Sequence, residues 1–202
     1  MVGNSRKSLF CRLGEDAGKG LNSTPSFWHP MPSVLLSRSA MLNILLSVTE
    51  PYKHEAWGVV LGKNGGSRIR VANAIPYQTA IRSFNQVSDS QKLNRLAEFL
   101  APLNMVVGDF HSHSDYKNVW TMELSQEDRK SMDKGKIEII VGVKKYKKRF
   151  SLPVETRDDD RKGFSFGLKG YRYHFRCYYK NHQGKIREVT LVPSESFAGI
   201  IA

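Results

Sequence analysis

The segment that most constrains this chain is a short apolar strand that runs directly into the His-Ser-His sequence at 111–113. Val106-Val107 begins the strand pattern, and residues two apart in a strand point to the same face. His111 and His113 are therefore expected to project side by side. Further on, Ser125-x-x-Asp128 opens a run of good helix formers. The sequence thus predicts a strand and a helix whose two imidazoles and carboxylate are spaced to suit one metal ion.

This set of side chains suits a catalytic zinc ion. Two histidine nitrogens and the carboxylate of Asp128 make three protein ligands, which leaves the fourth position of a tetrahedral zinc open for water. Structural zinc sites are closed instead, usually by cysteine. The chain has only Cys11 and Cys177, so a closed cysteine-rich site is excluded. The expected cofactor is Zn²⁺, held by His111, His113 and one carboxylate, for which Asp128 is a candidate.

Simpler interpretations of the same residues stay open. A His-x-His pair occurs by chance on protein surfaces, and Ser125-x-x-Asp128 is also the pattern of a helix capping box. Capping and metal binding do not exclude each other. On spacing alone, Asp115 and Glu123 compete with Asp128 as the third ligand.

A second carboxylate, Glu55, enters the apolar strand that ends at Gly62. A charged residue at such a place needs a reason. Zinc lowers the pKa of its water to near 7, and a carboxylate beside it can accept the proton and pass it to a leaving amine. Glu55 is the candidate general acid/base, and the alternative is a solvated residue at the start of a strand.

Together these motifs resemble the JAMM, or MPN-plus, zinc metalloproteases. The family pattern is Glu-x-x-Gly before an apolar strand, then His-x-His and Ser-x-x-Asp. Here the three parts are Glu55 to Gly58, His111 to His113 and Ser125 to Asp128, and the resemblance covers residues 34–143. The chain departs from the pattern in having Ser114 where a proline is usual and in a 114–124 loop about four residues longer, an insertion that loop-closure entropy tolerates.

The resemblance implies a fold, a set of roles and a reaction. The fold is a single MPN-like, cytidine-deaminase-like α/β domain, with a mixed β-sheet flanked by helices. His111, His113 and Asp128 would bind zinc, Glu55 would be the general acid/base, and Ser125 would stabilise the oxyanion. The implied reaction is hydrolysis of peptide or isopeptide bonds in ubiquitin or ubiquitin-like conjugates. The alternatives are a non-catalytic MPN scaffold for a protein assembly and a basic nucleic-acid-binding module.

The periodicity of the chain gives the expected elements. Apolar residues predict a largely buried helix over Val34–Val48, and strands at 57–62, 68–74 and 137–143. Ser88-Asp89-Ser90 opens a further helix to about Leu100. The tail from Phe164 predicts two or three more strands; in them His174 alternates with aromatic residues and is expected to be an exposed non-ligand.

Composition predicts one folded domain, at 31–202, behind a flexible N-terminal extension at 1–30 that is rich in Gly, Ser, Asn and charge. Two cysteines indicate a reducing compartment. No apolar signal segment follows the basic N-terminus, and Val34–Val48 is too short to span a bilayer. We therefore expect a cytoplasmic protein without membrane association.

The net charge of +12 requires an explanation. A basic cluster occupies 144–149, where four lysines and Arg149 surround Tyr146. Such charge attracts anionic surfaces over long range, and salt screens the attraction. The cluster is interpreted as a solvated face, as a contact for an acidic protein substrate or as a nucleic-acid contact.

Overall fold

The computed structural model describes residues 31–77, 81–82, 87–88, 99, 105–114, 121–145, 156–157 and 162–194. The predicted extension at 1–30 lies outside these residues, as do the central part of the 114–124 loop and most of the helix predicted from Ser88 to Leu100. Ser88 itself ends a short strand.

The described residues are mostly β-strand. Two helices lie entirely within them, α1 (Arg38–Thr49) and α2 (Gln126–Ser131). The strands are β1 (Ser33–Leu36), β2 (Trp57–Asn64), β3 (Arg68–Pro76), β4 (Ile81–Arg82), β5 (Val87–Ser88), β6 (Val106–Ser114), β7 (Lys136–Lys145), β8 (Thr156–Arg157), β9 (Phe164–Leu168), β10 (Tyr171–Lys180), β11 (Ile186–Val189) and β12 (Leu191–Pro193).

The main sheet is mixed and curls until its two ends nearly meet. Its order is β12-β1-β3-β2-β6-β7-β10-β9-β8, and β11 also pairs with β10. The pairs β1–β12, β1–β3 and β6–β7 are parallel, and the others are antiparallel. Only Thr190 separates β11, which pairs with β10, from β12, which pairs with β1. This connection brings the ends of the sheet together into an almost closed barrel.

The hydrophobic core fills the inside of the curled sheet. Helix α1 contributes Ala40, Met41, Ile44, Leu45 and Val48, and these pack in one cluster with inward residues of nearly every long strand. The largest of the strand residues are aromatic, among them Phe110, Phe164, Phe166 and Phe175. The free thiol of Cys177 is also buried in this core. Two smaller apolar clusters lie outside this core, one around Val59 and Leu61 of β2 and one where Leu124 and Met132 beside α2 pack on Ile140 and Tyr178.

The predicted fold class is wrong. An α/β domain with a mixed sheet flanked by helices requires helices over the faces of an open sheet. Among the described residues, the 12-residue α1 is the longer of two helices, and it packs into the curled sheet rather than flanking it. The four strands after residue 163 join the sheet's ends instead of leaving a face for helices.

The first predicted helix begins later than expected. Val34–Leu36 forms β1, which lies between β12 and β3 with all its strand pairs parallel. Ser37 then starts α1, since its hydroxyl accepts the N–H of Ala40 at 3.1 Å. A run of three apolar residues suits a buried strand with parallel neighbours as well as it suits a helix. The sequence pattern alone therefore cannot distinguish the two. In the described part of the chain, no helix has the length and apolar character needed to cross a membrane.

The other element predictions that fall on described residues are confirmed, except the number of strands in the tail. Strands β2 and β3 cover 57–62 and 68–74, and β7 covers 137–143. The tail contains four strands after Phe164, one or two more than predicted. Helix α2 begins at Gln126 after the Ser125 cap, where the sequence pattern placed it.

Gly58 of the Glu-x-x-Gly motif has a packing role. It pairs with Phe110 across β2 and β6, and a Cβ at this position would lie 2.4 Å from the Phe110 ring and 2.3 Å from the carbonyl oxygen of Ile75. Gly58→Ala is therefore expected to lower the free energy of unfolding by about 1–3 kcal/mol, the usual cost of overpacking. Urea denaturation measures this, with Gly65→Ala in the β2–β3 turn as control. A change no larger than that of the control would contradict the packing role.

Candidate metal centre

Strand β6 presents both histidines on the outer face of the sheet. In the register His111 lies between Trp57 of β2 and Ile140 of β7, and His113 lies beside Gly142. The His111 side chain is fully buried, and that of His113 is half-buried. As the strand pattern predicts, the two rings are neighbours, with centroids 4.8 Å apart.

Helix α2 delivers the third side chain. Its N-cap is a complete capping box, in which the Ser125 hydroxyl accepts the Asp128 N–H at 3.1 Å and Asp128 Oδ2 accepts the Ser125 N–H at 2.9 Å. Asp128 is 3% exposed, although the residues around it in the helix are exposed. The same Oδ2 lies 3.7 Å from Nε2 of His111. The cap therefore holds the carboxylate against the histidines.

The three side chains form a compact group. One ligand atom from each of His111, His113 and Asp128 lies within 4.8 Å of the other two. Of the competing third ligands, Glu123 is exposed and outside this group, and Asp115 lies outside the described residues. The geometry favours Asp128 as the third member.

The orientation of the two rings fits a cation. Nδ1 of His113 lies 2.7 Å from the carbonyl oxygen of Thr121, and Nδ1 of His111 lies 2.7 Å from Oε1 of Glu138. Each Nδ1 faces an acceptor and should carry the proton, which leaves a lone pair on each Nε2. The two Nε2 atoms face each other at 2.9 Å. Two lone pairs at this separation repel unless a proton or a cation lies between them, so the arrangement suits a metal ion.

The charges around His111 also favour a cation. Burial acts to lower the pKa of its imidazole, but the Glu138 carboxylate opposes this, chiefly by its charge. Asp128 and Glu55 act in the same direction, and the pKa is raised above its usual value. The surroundings therefore stabilise positive charge at this position, as a dication at Nε2 would require.

Glu55 is placed at the edge of the centre by its neighbours on β6. Ser112 Oγ accepts the Ala56 N–H at 2.8 Å, and the Ser112 N–H donates to the Ala56 carbonyl oxygen at 2.9 Å. These two bonds hold Ala56 against Ser112, between the two histidines, and thereby bring the preceding residue, Glu55, to the same part of the sheet. Its charge contributes to the raised pKa of His111, which agrees with this position. A general base at this point would adjoin the proposed metal.

Ser125 lies at the rim of the centre. Its side chain is exposed, and its hydroxyl is already an acceptor in the capping box. A hydroxyl that accepts one bond keeps its own proton for donation. The residue can therefore cap α2 and still donate to a substrate oxygen.

Sequence reasoning missed two residues of the centre, Ser112 and Glu138. Glu138 is 6% exposed in a strand whose neighbours are apolar, and a lone carboxylate in such a run is the same signal that marked Glu55. Ser112 is 2% exposed and points to the core side between the two histidines. Its bond to Ala56 depends on strand register and leaves no local signal.

A further carboxylate, Asp109, pairs in register with Glu138. Its Oδ1 is buried, without a hydrogen-bond partner among the residues that are described. Burial, and then the charge of Glu138, raises the pKa of Asp109 well above its usual value. Asp109 therefore favours its neutral form next to the centre.

His174 lies outside the group of potential ligands in the described part of the chain. It is half-buried rather than exposed, and burial followed by the charges of Arg172 and Arg176 lowers its pKa to about 4. The His174 ring is therefore neutral at neutral pH. This agrees with its place in β10 between two arginines, on the positions that alternate with the aromatic residues. In the basic cluster, Lys144 and Lys145 end β7, and the remainder of 144–149 lies outside the described residues.

Comparisons with known proteins bear on the fold. No family model matches the chain, and no curated protein matches it. The solution structure of protein DSY2949 from Desulfitobacterium hafniense is similar, with a TM-score of 0.53 at 16% sequence identity. The match covers 81% of this chain and 94% of that one. At this identity the similarity indicates a shared fold alone.

Proposed function

We propose that this protein is a zinc-dependent hydrolase of amide bonds, with peptide or isopeptide bonds of ubiquitin-like conjugates as its substrates. One observation carries the proposal: ligand atoms of His111, His113 and Asp128 lie within 4.8 Å of one another, and the charge of Glu55 acts on His111. The substrate class rests on the resemblance of these motifs to the JAMM metalloproteases.

Each residue of the candidate metal centre has its own role in the proposed reaction. Zinc, when bound, would polarise the scissile carbonyl and lower the pKa of a water molecule. Glu55 would accept a proton from the attacking water as the C–O bond forms, and deliver it to the amine as the C–N bond breaks. The Ser125 hydroxyl would donate a hydrogen bond to the carbonyl oxygen as that oxygen becomes anionic. His111, His113 and Asp128 would hold the metal.

The test has two stages. Metal analysis of the purified protein should find one zinc per chain, and zinc-loaded protein should cleave at least one member of a panel of ubiquitin-like conjugates. Treatment with a chelator should stop cleavage, and added zinc should restore it. Protein that binds no zinc would contradict the proposal and favour a scaffold. Cleavage that persists after complete removal of zinc would contradict the mechanism.

A further inference from the structure

Glu138 is a buried carboxylate that the roles given above leave without a function. It lies in β7 between Ile137 and Ile139, and its side chain is 8% exposed. Alternation along the strand directs it to the outer face, between Asp109 of β6 and Tyr178 of β10. An ionised carboxylate is costly to bury without a partner, so its retention at this position needs a specific contact.

That contact is with His111. Oε1 of Glu138 lies 2.7 Å from Nδ1 of the ring, and both side chains are buried. The ring N–H is not well aligned with the oxygen, so charge contributes more to the contact than hydrogen-bond direction does. A lone pair on Nδ1 at this distance from a carboxylate would be repelled. Glu138 therefore selects the tautomer that has its proton on Nδ1.

The second histidine, His113, also has an acceptor at its Nδ1, but this acceptor is a backbone carbonyl oxygen rather than a carboxylate. Nδ1 of His113 faces the carbonyl oxygen of Thr121 at 2.7 Å, and both Nε2 atoms point to the same place. The chain thus uses a backbone acceptor for the half-buried ring and a carboxylate for the fully buried one. The charged partner is the stronger one, because it increases the electron density that the imidazole can donate to a metal.

We propose that Glu138 is the positioning residue of the metal centre: it holds His111 with Nε2 directed at the metal and strengthens it as a ligand. This inference rests on the proposed function, since it assigns a role at the same site. Outer-shell carboxylates of this kind typically change metal affinity by about 10–100-fold.

Two variants separate this role from a structural one. Glu138→Gln keeps an oxygen acceptor and removes the charge, whereas Glu138→Leu removes the acceptor altogether. Zinc affinity, measured by competition with a chromophoric chelator, should fall about 10–100-fold, and further for Leu than for Gln. The unfolding midpoint of the zinc-free Gln variant should stay close to that of the wild type, because its amide oxygen still accepts from His111, whereas that of the Leu variant should fall, because the buried Nδ1–H of His111 loses its acceptor.

Glu188 provides a matched control. It lies beside Tyr178 on the opposite side from Glu138, and its carboxylate faces Arg176 at 3.6 Å rather than a histidine. Glu188→Gln should leave zinc affinity within about twofold of the wild type, although it breaks an ion pair of the same sheet. A loss of affinity equal to that of Glu138→Gln would make the effect a general one of buried charge and overturn the inference.

Histidine tautomers give a readout that does not depend on activity. In the ¹⁵N-labelled, zinc-free wild type, His111 should carry its proton on Nδ1, and Glu138→Leu should lose this preference. If the wild type and both Glu138 variants bind zinc equally, this inference alone is contradicted. If the wild type binds no zinc, the proposed function is contradicted, and the inference with it. Should neither variant fold, an Nε2–H tautomer of His111 in the wild type overturns the inference.

Discussion

Glu55→Gln is expected to bind zinc as the wild type does and to lose at least about 100-fold in the rate of amide hydrolysis, the lower bound for a general acid/base. The amide introduced by this substitution cannot accept the proton of water, whereas the three proposed ligands lie on other elements and are unchanged. Single-turnover cleavage of a conjugate by zinc-loaded protein measures the loss, and metal analysis measures the zinc. Glu55→Ala should behave in the same way.

Glu50 supplies the control for this variant. It is an exposed carboxylate at the C-cap of α1, only five residues before Glu55 in the sequence. Glu50→Gln makes the same change of charge away from the centre and should cleave at the wild-type rate. Turnover by Glu55→Gln that matches Glu50→Gln would remove Glu55 from the mechanism, and loss of zinc would make it a ligand instead.

Asp128→Asn is expected to lose zinc binding more severely than any change at Glu138, because it removes a direct charged ligand rather than a partner of one. The amide oxygen of the new side chain can still accept the Ser125 N–H, so the start of α2 is preserved. Zinc at about 100 times its Kd should stabilise the wild type by about 2.7 kcal/mol against unfolding. The variant should show little or none of this gain when the two are compared by thermal denaturation.

Glu127 allows the loss of a ligand to be separated from the loss of a charge. It is the exposed acidic residue next to Asp128 in the first turn of α2. Glu127→Gln removes the same charge near the same helix dipole and should keep the full stabilisation by zinc. If Asp128→Asn is stabilised as strongly as Glu127→Gln, the metal has another third ligand.

The local elements of this fold were readable from the sequence, but their arrangement was not. Apolar residues identify all three of β2, β3 and β7: those of β3 alternate, as burial on one face requires, whereas those of β2 and β7 form continuous runs, as burial on both faces requires. The sequence pattern includes Val34–Leu36 in the helix that follows it, because three apolar residues in a row are too few for periodicity to distinguish a strand from a helix. The pairing of β1 with β12 depends on contacts more than 150 residues apart, for which local sequence holds no signal. That pairing is what turns an expected open α/β sheet into a nearly closed one.

The same distinction applies to the metal centre. His111 and His113 are two residues apart, and Ser125 and Asp128 share one helical turn, so local periodicity predicts each pair. Their meeting needs α2 to lie over the outer face of β6, which the motif resemblance suggests and periodicity does not. Glu138 reaches His111 only through the parallel register of β6 and β7. A contact of that kind is set by tertiary structure.

The strand pair β1–β12 also has a consequence for the order of events during synthesis. Strand β6, which carries both histidines, leaves the ribosome well before β11 and β12, whose pairing brings the ends of the sheet together. Pairing of such distant segments is slow, because the entropy of closing a long chain is lost before the contact is gained. In the nascent chain, the two histidines of β6 would therefore be present while the barrel is still open. The proposed zinc ion could bind at that stage.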